Sequence, residues 1–260
     1  MNMKNIDLES KYNSVYKNDS SLFYSFNTFP ESKLILEMLP SWNDLKVLEI
    51  GCGEGRLAAM MSFAGADHID AIDYSEEAIK IALENINLKN VKYHCADYRA
   101  LSDRYDVVVL QGVLEHLDDP FQELRNIIDT RVNVGGCVIT SSPSFINPRG
   151  YVWMTLQLLF DVPMSLTDLH FLCPFDFEEF AEKYDLALEY RSTDFEWGSG
   201  ERTLIDFDKR LRNALRDAKM DNSKVDRLLE WLKKAVPFHL HDERSGATVA
   251  YKLSRKPSSY

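Results

Sequence analysis

The stretch VLEIGCGEGRLA, Val47–Ala58, decides the fold of this chain. A short apolar run, Lys46–Ile50, leads into the loop Gly51–Gly55, and Arg56–Phe63 then has helical character. A short apolar run that ends in glycines is typical of a buried strand. Glycine also permits a tight turn and lets a ligand approach the backbone closely. The stretch therefore predicts a strand–loop–helix unit with a ligand at its loop.

Arg56 separates this loop from better-known glycine-rich loops. The dinucleotide motif G-x-G-x-x-G needs a small residue at this position, and a phosphate-binding P-loop would end in G-K-[ST]. A nucleoside ligand without a pyrophosphate fits the loop better than either, which disfavours a nicotinamide-dependent dehydrogenase. A tight strand-to-helix turn that binds nothing is the structural alternative.

Two aspartates follow later strands and suit a nucleoside. Asp73 ends a strand in HIDAIDYS, where its carboxylate could accept two hydrogen bonds from a ribose diol. Ser75 is the better helix cap nearby, so Asp73 is not needed for that role. Asp97 follows the strand Val91–Cys95 and could accept from the adenine amine, although a turn aspartate is an equal interpretation.

Strands and helices alternate along the chain. This order predicts a doubly wound parallel sheet with ligands at the carboxyl ends of its strands. Further strands are predicted at Ile69–Ile72, Asp106–Leu110, Gly136–Ser141, Ala187–Arg191 and Ala247–Leu253. Helices are predicted at Glu31–Leu39, Pro120–Thr130, Phe175–Tyr184, Ile205–Lys219 and Ser223–Lys234.

Composition narrows the class of protein. The formal net charge of −11 opposes non-specific attraction to nucleic-acid phosphates. The four cysteines show no C-x-x-C spacing, so neither a zinc site nor a redox pair is indicated. The polar first ten residues are unlike a signal peptide, and no apolar run approaches the length of a membrane span. These features predict a cytoplasmic protein without membrane or nucleic-acid partners.

The motifs VLEIGCGEG, IDAIDYS, ADY and VLQGVLEHLDDP, in this order over Leu45–Ser142, resemble the class I S-adenosylmethionine-dependent methyltransferases. Within that class they are similar to the small-molecule O- and N-methyltransferases, including the quinone-biosynthesis O-methyltransferase-like group. The segment DLHFLCPFDFEEF, Asp168–Phe180, is similar to the segment that follows the fifth strand there.

The resemblance implies an α/β fold with a Rossmann-like, seven-stranded sheet. The sheet would be mostly parallel with an antiparallel last strand, covered by helices on both faces, with a helical insertion before the last strand. We expect one methyltransferase domain over residues 1–260. It would comprise an N-terminal arm or lid (1–40), a cofactor-binding core (45–142) and substrate-side segments (143–180 and 200–240).

The resemblance also implies that S-adenosyl-L-methionine is the cofactor and S-adenosyl-L-homocysteine the product. The three loop glycines would face the methionine part, and Glu49 would support the loop. Either Gly51 or Gln111 would offer backbone contacts to the amino-acid portion of the cofactor. Asp73 would hold the ribose, with Tyr74 beside the adenine, and Asp97 and Tyr98 would bind the adenine. The residues implied for the whole cofactor site are Glu49, Gly51, Gly53, Gly55, Asp73, Tyr74, Asp97, Tyr98 and Gln111.

Transfer to a hydroxyl or a protonated amine is helped by a general base. His116, just after the fourth strand, is the first candidate, with fixing a loop or binding substrate as the alternative; His170 is the second candidate. Glu115 is a weaker candidate for the catalytic group. Assistance by a metal ion is not favoured. Tyr12 and Tyr16 could close over the site, and Arg149, Arg202 and Arg244 could pair with an anionic acceptor.

Several alternatives remain open. The chain lacks an N-P-P-[YF] tetrapeptide, and it lacks a Pro-Cys dipeptide at the fourth strand. Both absences disfavour a nucleic acid as the substrate. Two competing hypotheses are a protein or RNA methyltransferase and a non-catalytic relative that binds the cofactor. The expected partner is a small-molecule acceptor. The apolar stripes of the two inserted helices must pack on something and could form a homodimer interface.

Overall fold

A computed structural model describes residues 29–162, 168–239, 242 and 244–257. The strands are β1 (Lys46–Ile50), β2 (His68–Asp73), β3 (Val91–Cys95), β4 (Tyr105–Gln111), β5 (Val132–Pro143), β6 (Leu186–Thr193) and β7 (Thr248–Arg255). The helices are α1 (Phe29–Glu37), α2 (Arg56–Phe63), α3 (Glu76–Asn85), α4 (Pro120–Arg131), α5 (Pro148–Phe160), α6 (Pro174–Lys183), α7 (Phe195–Gly198), α8 (Arg202–Asp217) and α9 (Val225–Ala235). Short 3₁₀ turns lie at Tyr98–Ala100, Leu114–His116 and Val236–Phe238.

The seven strands form one sheet in the order β3-β2-β1-β4-β5-β7-β6. Strands β1 to β5 pair in parallel, whereas β7 runs antiparallel to both β5 and β6. The predicted Rossmann-like sheet with an antiparallel last strand is confirmed. Strand order reverses at β1, whose neighbours are β2 and β4, so the ends of these three strands form the crevice where such sheets bind ligands.

Alternate residues of the central strands pack on opposite faces of the sheet. Leu48 and Val108 face helices α4 and α6 in one core cluster, while Val47 and Val107 face helices α1, α2 and α3 in the other. All four side chains are essentially inaccessible to water. Because both faces of the sheet are buried, the sequences of these strands are continuous apolar runs.

The predicted helical insertion is confirmed, because α7, α8 and α9 all lie between β6 and β7. Phe207 and Leu211 of α8 and Leu232 of α9 share a third cluster with Trp153 of α5. The apolar stripes of the inserted helices therefore have a partner within the chain, and a homodimer through them stays a prediction. No helix in the described ranges is long and apolar enough to cross a membrane.

Helix α5 is a feature that the sequence pattern did not predict. Its start is well specified: Pro148 occupies the first turn, and the Asn147 side chain accepts a hydrogen bond from the Gly150 N–H. The helix is apolar on nearly all sides, and Leu158 and Leu159 are exposed near its end. The polar face that normally reveals an amphipathic helix is therefore absent.

Candidate functional site

The glycine loop adopts a backbone that other residues rarely take. Gly51, Gly53 and Gly55 have φ values of 76°, 51° and 79°. A Cβ on Gly51 would lie 2.5 Å from the Val113 side chain, and one on Gly55 would overlap the Tyr93 hydroxyl. Only glycine satisfies both the positive φ and the close approach. Gly55 has no side chain to cap α2, and the Ala58 N–H in the first turn of this helix bonds the Glu49 carboxyl instead.

Asp73 links the end of β2 to this loop. Its Oδ2 accepts from the Gly53 N–H at 2.9 Å, and its Oδ1 accepts from the Ser75 N–H at 2.9 Å. The Tyr74 N–H also hydrogen-bonds this carboxylate, so backbone groups use part of its lone-pair capacity and the rest remains for a ribose diol. Ser75 caps α3 as predicted, since its Oγ accepts from the Ala78 N–H. The ribose contact expected of Asp73 stays a prediction.

Glu49 lies beneath the loop and is almost fully buried, and its Oε2 has no hydrogen-bond partner among the described residues. Burial, with the charge of Asp73 adding to it, raises the pKa of Glu49 to about 8. The Glu49 carboxyl also accepts a hydrogen bond from the Ala58 N–H in the first turn of α2. It therefore links β1 to the helix that follows the loop, which agrees with the predicted supporting role.

Glu49 should make the stability of the ligand-free protein depend on pH. Because its folded pKa of about 8 exceeds the ordinary 4.5, folding is favoured most below pH 4.5 and loses stability as the pH rises through 8. Each pKa unit corresponds to about 1.4 kcal/mol, so the loss approaches about 5 kcal/mol. We expect Glu49→Gln to remove that loss, so its melting temperature exceeds that of the wild type by a margin that grows from pH 5 to pH 9. Parallel melting curves across this range would exclude Glu49 as the cause.

On the adenine side, the structure corrects one prediction. The Tyr98 ring packs into the core, and its hydroxyl donates to Glu123 at 2.6 Å, so this side chain does not present a face to adenine. Asp97 caps the 3₁₀ turn and accepts from Arg99, but its carboxylate remains about half exposed. Tyr74 is 43% exposed beside Asp73. An adenine contact by Asp97 and Tyr74 remains a prediction.

Gln111 connects the end of β4 to helix α1. Its Nε2 donates to Glu31 at 3.1 Å, and its Oε1 accepts from the Ser32 hydroxyl at 2.9 Å. Helix α1, which packs against β5, β6 and β7, is thereby tied to the end of β4. Gly112 follows with a φ of 62°, and its N–H donates to the Ser141 carbonyl of β5.

His116 lies at the end of the turn that follows β4. Its Nδ1 is 3.5 Å from Asp168 Oδ1, and both side chains are about one-fifth exposed. The segment carrying Asp168 is held against this turn, because the N–H groups of Leu169 and His170 donate to the Glu115 carbonyl. The structure thus pairs the first predicted base with Asp168, a carboxylate that is not among the predicted site residues.

His170 occupies a different position. Its Nε2 lies 3.2 Å from the Asp118 carbonyl oxygen, at the edge of a groove of about 360 Å³. That groove is lined by Asp118, Asp119, Pro120, Phe121, His170, Phe171, Leu172 and Asp176. This contact favours a role in fixing the loop, although catalysis by His170 stays a prediction.

The predicted substrate residues have different surroundings. Arg149 donates through Nε to the buried Asp206 at 2.8 Å, and Arg210 holds the other oxygen at 3.2 Å. Although burial acts to raise it, these two charges lower the pKa of Asp206. Removing one member of such a buried group typically costs about 3–5 kcal/mol. Arg149 therefore serves the packing of α5 on α8, which corrects its predicted role toward an acceptor.

Arg202 lies over the Trp197 ring at 5.8 Å, and its charge acts on Asp194 beside the end of β6. It is exposed and stays a candidate for substrate contact. Arg244 pairs with Asp242 on the surface. Tyr12 and Tyr16 lie outside the described residues.

The comparisons with known proteins agree with this geometry. The family description "Methyltransferase domain" matches residues 26–190. A malonyl-[acyl-carrier protein] O-methyltransferase from Bacillus cereus is 33% identical over 101 residues, 38% of this chain and 37% of that protein. A ubiquinone biosynthesis O-methyltransferase from Bordetella avium is 29% identical over 171 residues, 62% of this chain and 66% of that protein. The chain thus spans between about one third and two thirds of the length of these relatives.

Solved structures share the fold. One is the putative methyltransferase in complex with the Haloferax volcanii Trm112 activator, with a TM-score of 0.61 and 14% identity over 93% of this chain and 96% of that chain. Another is DhpI in complex with S-adenosylhomocysteine, with a TM-score of 0.58 and 16% identity over 96% and 95%. The chain therefore belongs to the class I S-adenosylmethionine-dependent methyltransferases, and S-adenosyl-L-methionine is its cofactor.

Proposed function

We propose that this protein transfers the methyl group of S-adenosyl-L-methionine to a hydroxyl oxygen of a small molecule, with His116 as the general base. The observation that carries the proposal is the pair His116–Asp168 at the end of β4, next to the crevice that would hold the cofactor. The names of the curated relatives support oxygen as the acceptor atom, since both describe O-methyltransferases.

The bound cofactor supplies a methyl carbon that its sulfonium charge makes reactive. This chain positions the acceptor and takes up its proton. Asp168, next to Nδ1 of His116, favours the tautomer with hydrogen on that nitrogen, which leaves the Nε2 lone pair for the acceptor hydroxyl. The cofactor would supply the methyl group to the acceptor oxygen and keep the bonding electrons on its sulfur, and Nε2 of His116 would take up the hydroxyl proton. Asp168 then stabilises the imidazolium.

A small-molecule acceptor in the cytoplasm is favoured over RNA or a protein. The net charge of −11 works against RNA binding, and the four cysteines are free thiols, as a reducing compartment would keep them. Dimerisation through the inserted helices remains a secondary proposal that sedimentation would decide.

The test is methyl transfer itself. The purified chain, given S-adenosylmethionine labelled in its methyl group and a panel of phenols, alcohols and amines, should label at least one phenol or alcohol. Labelling of amines alone would overturn oxygen as the acceptor. Cofactor binding without labelling of any compound would favour the non-catalytic alternative.

A further inference from the structure

Helix α5 exposes large apolar side chains along one face. Leu158 and Leu159 are 73% and 70% exposed, and Tyr151 is 54% exposed. These leucines lie two helical turns after Tyr151, so all three share a face with the exposed Thr155 between them. We call Tyr151, Thr155, Leu158 and Leu159 the α5 outer face. A contiguous apolar patch of this kind marks an interaction surface.

The opposite side of α5 is firmly packed. Trp153 is 2% exposed, and its ring lies 5.9 Å from the Phe207 ring of α8. Asn147 caps the start of the helix, and the Asp161 N–H bonds the Gln157 carbonyl at its end. The α5 outer face is therefore a formed surface on a fixed helix.

The α5 outer face also differs from the rest of the chain in charge. Residues 150–160 contain no charged residue, although 27% of the chain is charged and its formal net charge is −11. Arg149, in the first turn, pairs with the buried Asp206. Even the Thr155 hydroxyl is used within the helix, because it donates to the Tyr151 carbonyl at 2.7 Å. The surface thus complements an uncharged, apolar partner and neither an acidic nor a basic one.

A second copy of this chain supplies such a partner. In a two-fold dimer both chains use the same patch, so an apolar face packs on an identical one. Two chains of net charge −11 repel each other, and they approach at the lowest electrostatic cost where the surface is uncharged. Helix α9, in contrast, exposes Arg227, Lys233 and Lys234, so pairing it with itself would bring like charges together.

A lipid surface fits the α5 outer face less well. Helices that lie in a membrane surface carry lysine or arginine on the face beside their apolar one. Helix α5 has only Arg149, which is already paired with Asp206. The acidic chain as a whole would also be repelled by anionic lipids.

We propose that this protein forms a two-fold homodimer in which the α5 outer faces of two copies pack against each other. Salt screens the repulsion between the two acidic chains and leaves an uncharged contact intact. The dimer should therefore tighten as NaCl is raised from about 50 to about 500 mM, whereas an interface built on ion pairs would weaken.

Sedimentation velocity of the full chain provides the test. The wild type should pass from the 30.0 kDa monomer to a species of twice that mass at micromolar concentrations. Leu158→Glu should raise the dissociation constant of the dimer about 100-fold or more, because it brings two like charges into an apolar contact. Leu83→Glu is the matched control, since Leu83 is a 59% exposed leucine on α3, and it should leave the dimer unchanged.

A charge-swap mixture separates loss of the contact from loss of folding. Leu158→Glu and Leu158→Lys should each be monomeric alone, and an equimolar mixture should dimerise again because opposite charges then meet. A monomeric wild type, a dimer that Leu158→Glu leaves intact or that salt weakens, or a mixture that stays monomeric would overturn the proposal.

Two further results would overturn it by assigning the face to another occupant. A monomeric wild type that binds phosphatidylcholine vesicles, and loses this binding in Leu158→Glu, would assign the face to a lipid surface. A monomeric wild type whose melting temperature falls in Leu158→Glu but not in Leu83→Glu would assign it to another segment of the same chain.

Discussion

Replacing Asp73 by alanine should weaken the binding of S-adenosylhomocysteine by at least 100-fold. Two hydrogen bonds from a ribose diol to a carboxylate are worth about 1.5–3 kcal/mol each, which together corresponds to a factor of about 10² to 10⁴. The substitution also removes the hydrogen bonds that the Gly53 and Ser75 N–H groups donate to Asp73, so the loop loses its link to β2. Both effects lower affinity.

Two further variants separate these effects. Asp73→Asn keeps one carbonyl oxygen and should lose less affinity than Asp73→Ala. Asp97→Asn, at a carboxylate that Arg99 already occupies, should weaken binding by less than tenfold. If Asp73→Ala retained its melting temperature and bound within threefold of the wild type, the ribose contact would be wrong.

Replacing His116 by alanine should lower kcat by a factor of about 10² to 10⁴, the range for loss of a general base. Affinity for S-adenosylhomocysteine should stay within twofold, because His116 pairs with Asp168 and not with the glycine loop. Asp168→Asn should lower kcat by a smaller factor, since it removes the orienting charge but leaves the imidazole.

His170→Ala is the matched control for this prediction. Its ring contacts the Asp118 carbonyl at the groove edge, so the substitution should change kcat by less than threefold. A kcat for His116→Ala within threefold of the wild type would assign it to loop structure or substrate contact. A large loss in His170→Ala together with a small one in His116→Ala would exchange their roles.

The sequence predicted the parts of the site that depend on local pattern. β1, α2 and β3 were placed at their observed bounds, because glycines and apolar runs mark a buried strand and its exit within a few residues. The location of Asp73 is also predictable from local pattern. It ends a parallel strand, and the carboxyl ends of such strands form the crevice. Helix α5 escaped prediction because its apolar residues show no 3.6-residue period against a polar face.

The remaining features depend on contacts between distant residues. Gln111 meets Glu31 across 80 positions of sequence, and Arg149 meets Asp206 across 57. The sequence suggests that Arg149 contacts an anionic acceptor, because a guanidinium suits an anion. No nearby sequence feature indicates that its partner is the buried Asp206. Tyr98 was expected at adenine for its aromatic ring, and its hydroxyl bonds Glu123 on α4 instead. Glu115 stood beside His116 in the sequence, yet only burial distinguishes it from a loop carboxylate.

The most direct measurement is a calorimetric titration of S-adenosylhomocysteine into the wild-type protein. The loop glycines, Asp73 and the buried Glu49 together predict saturable binding at one site per chain, with a dissociation constant in the micromolar range or below. The absence of saturable binding by a folded sample would contradict the assignment of this crevice to the methyl donor.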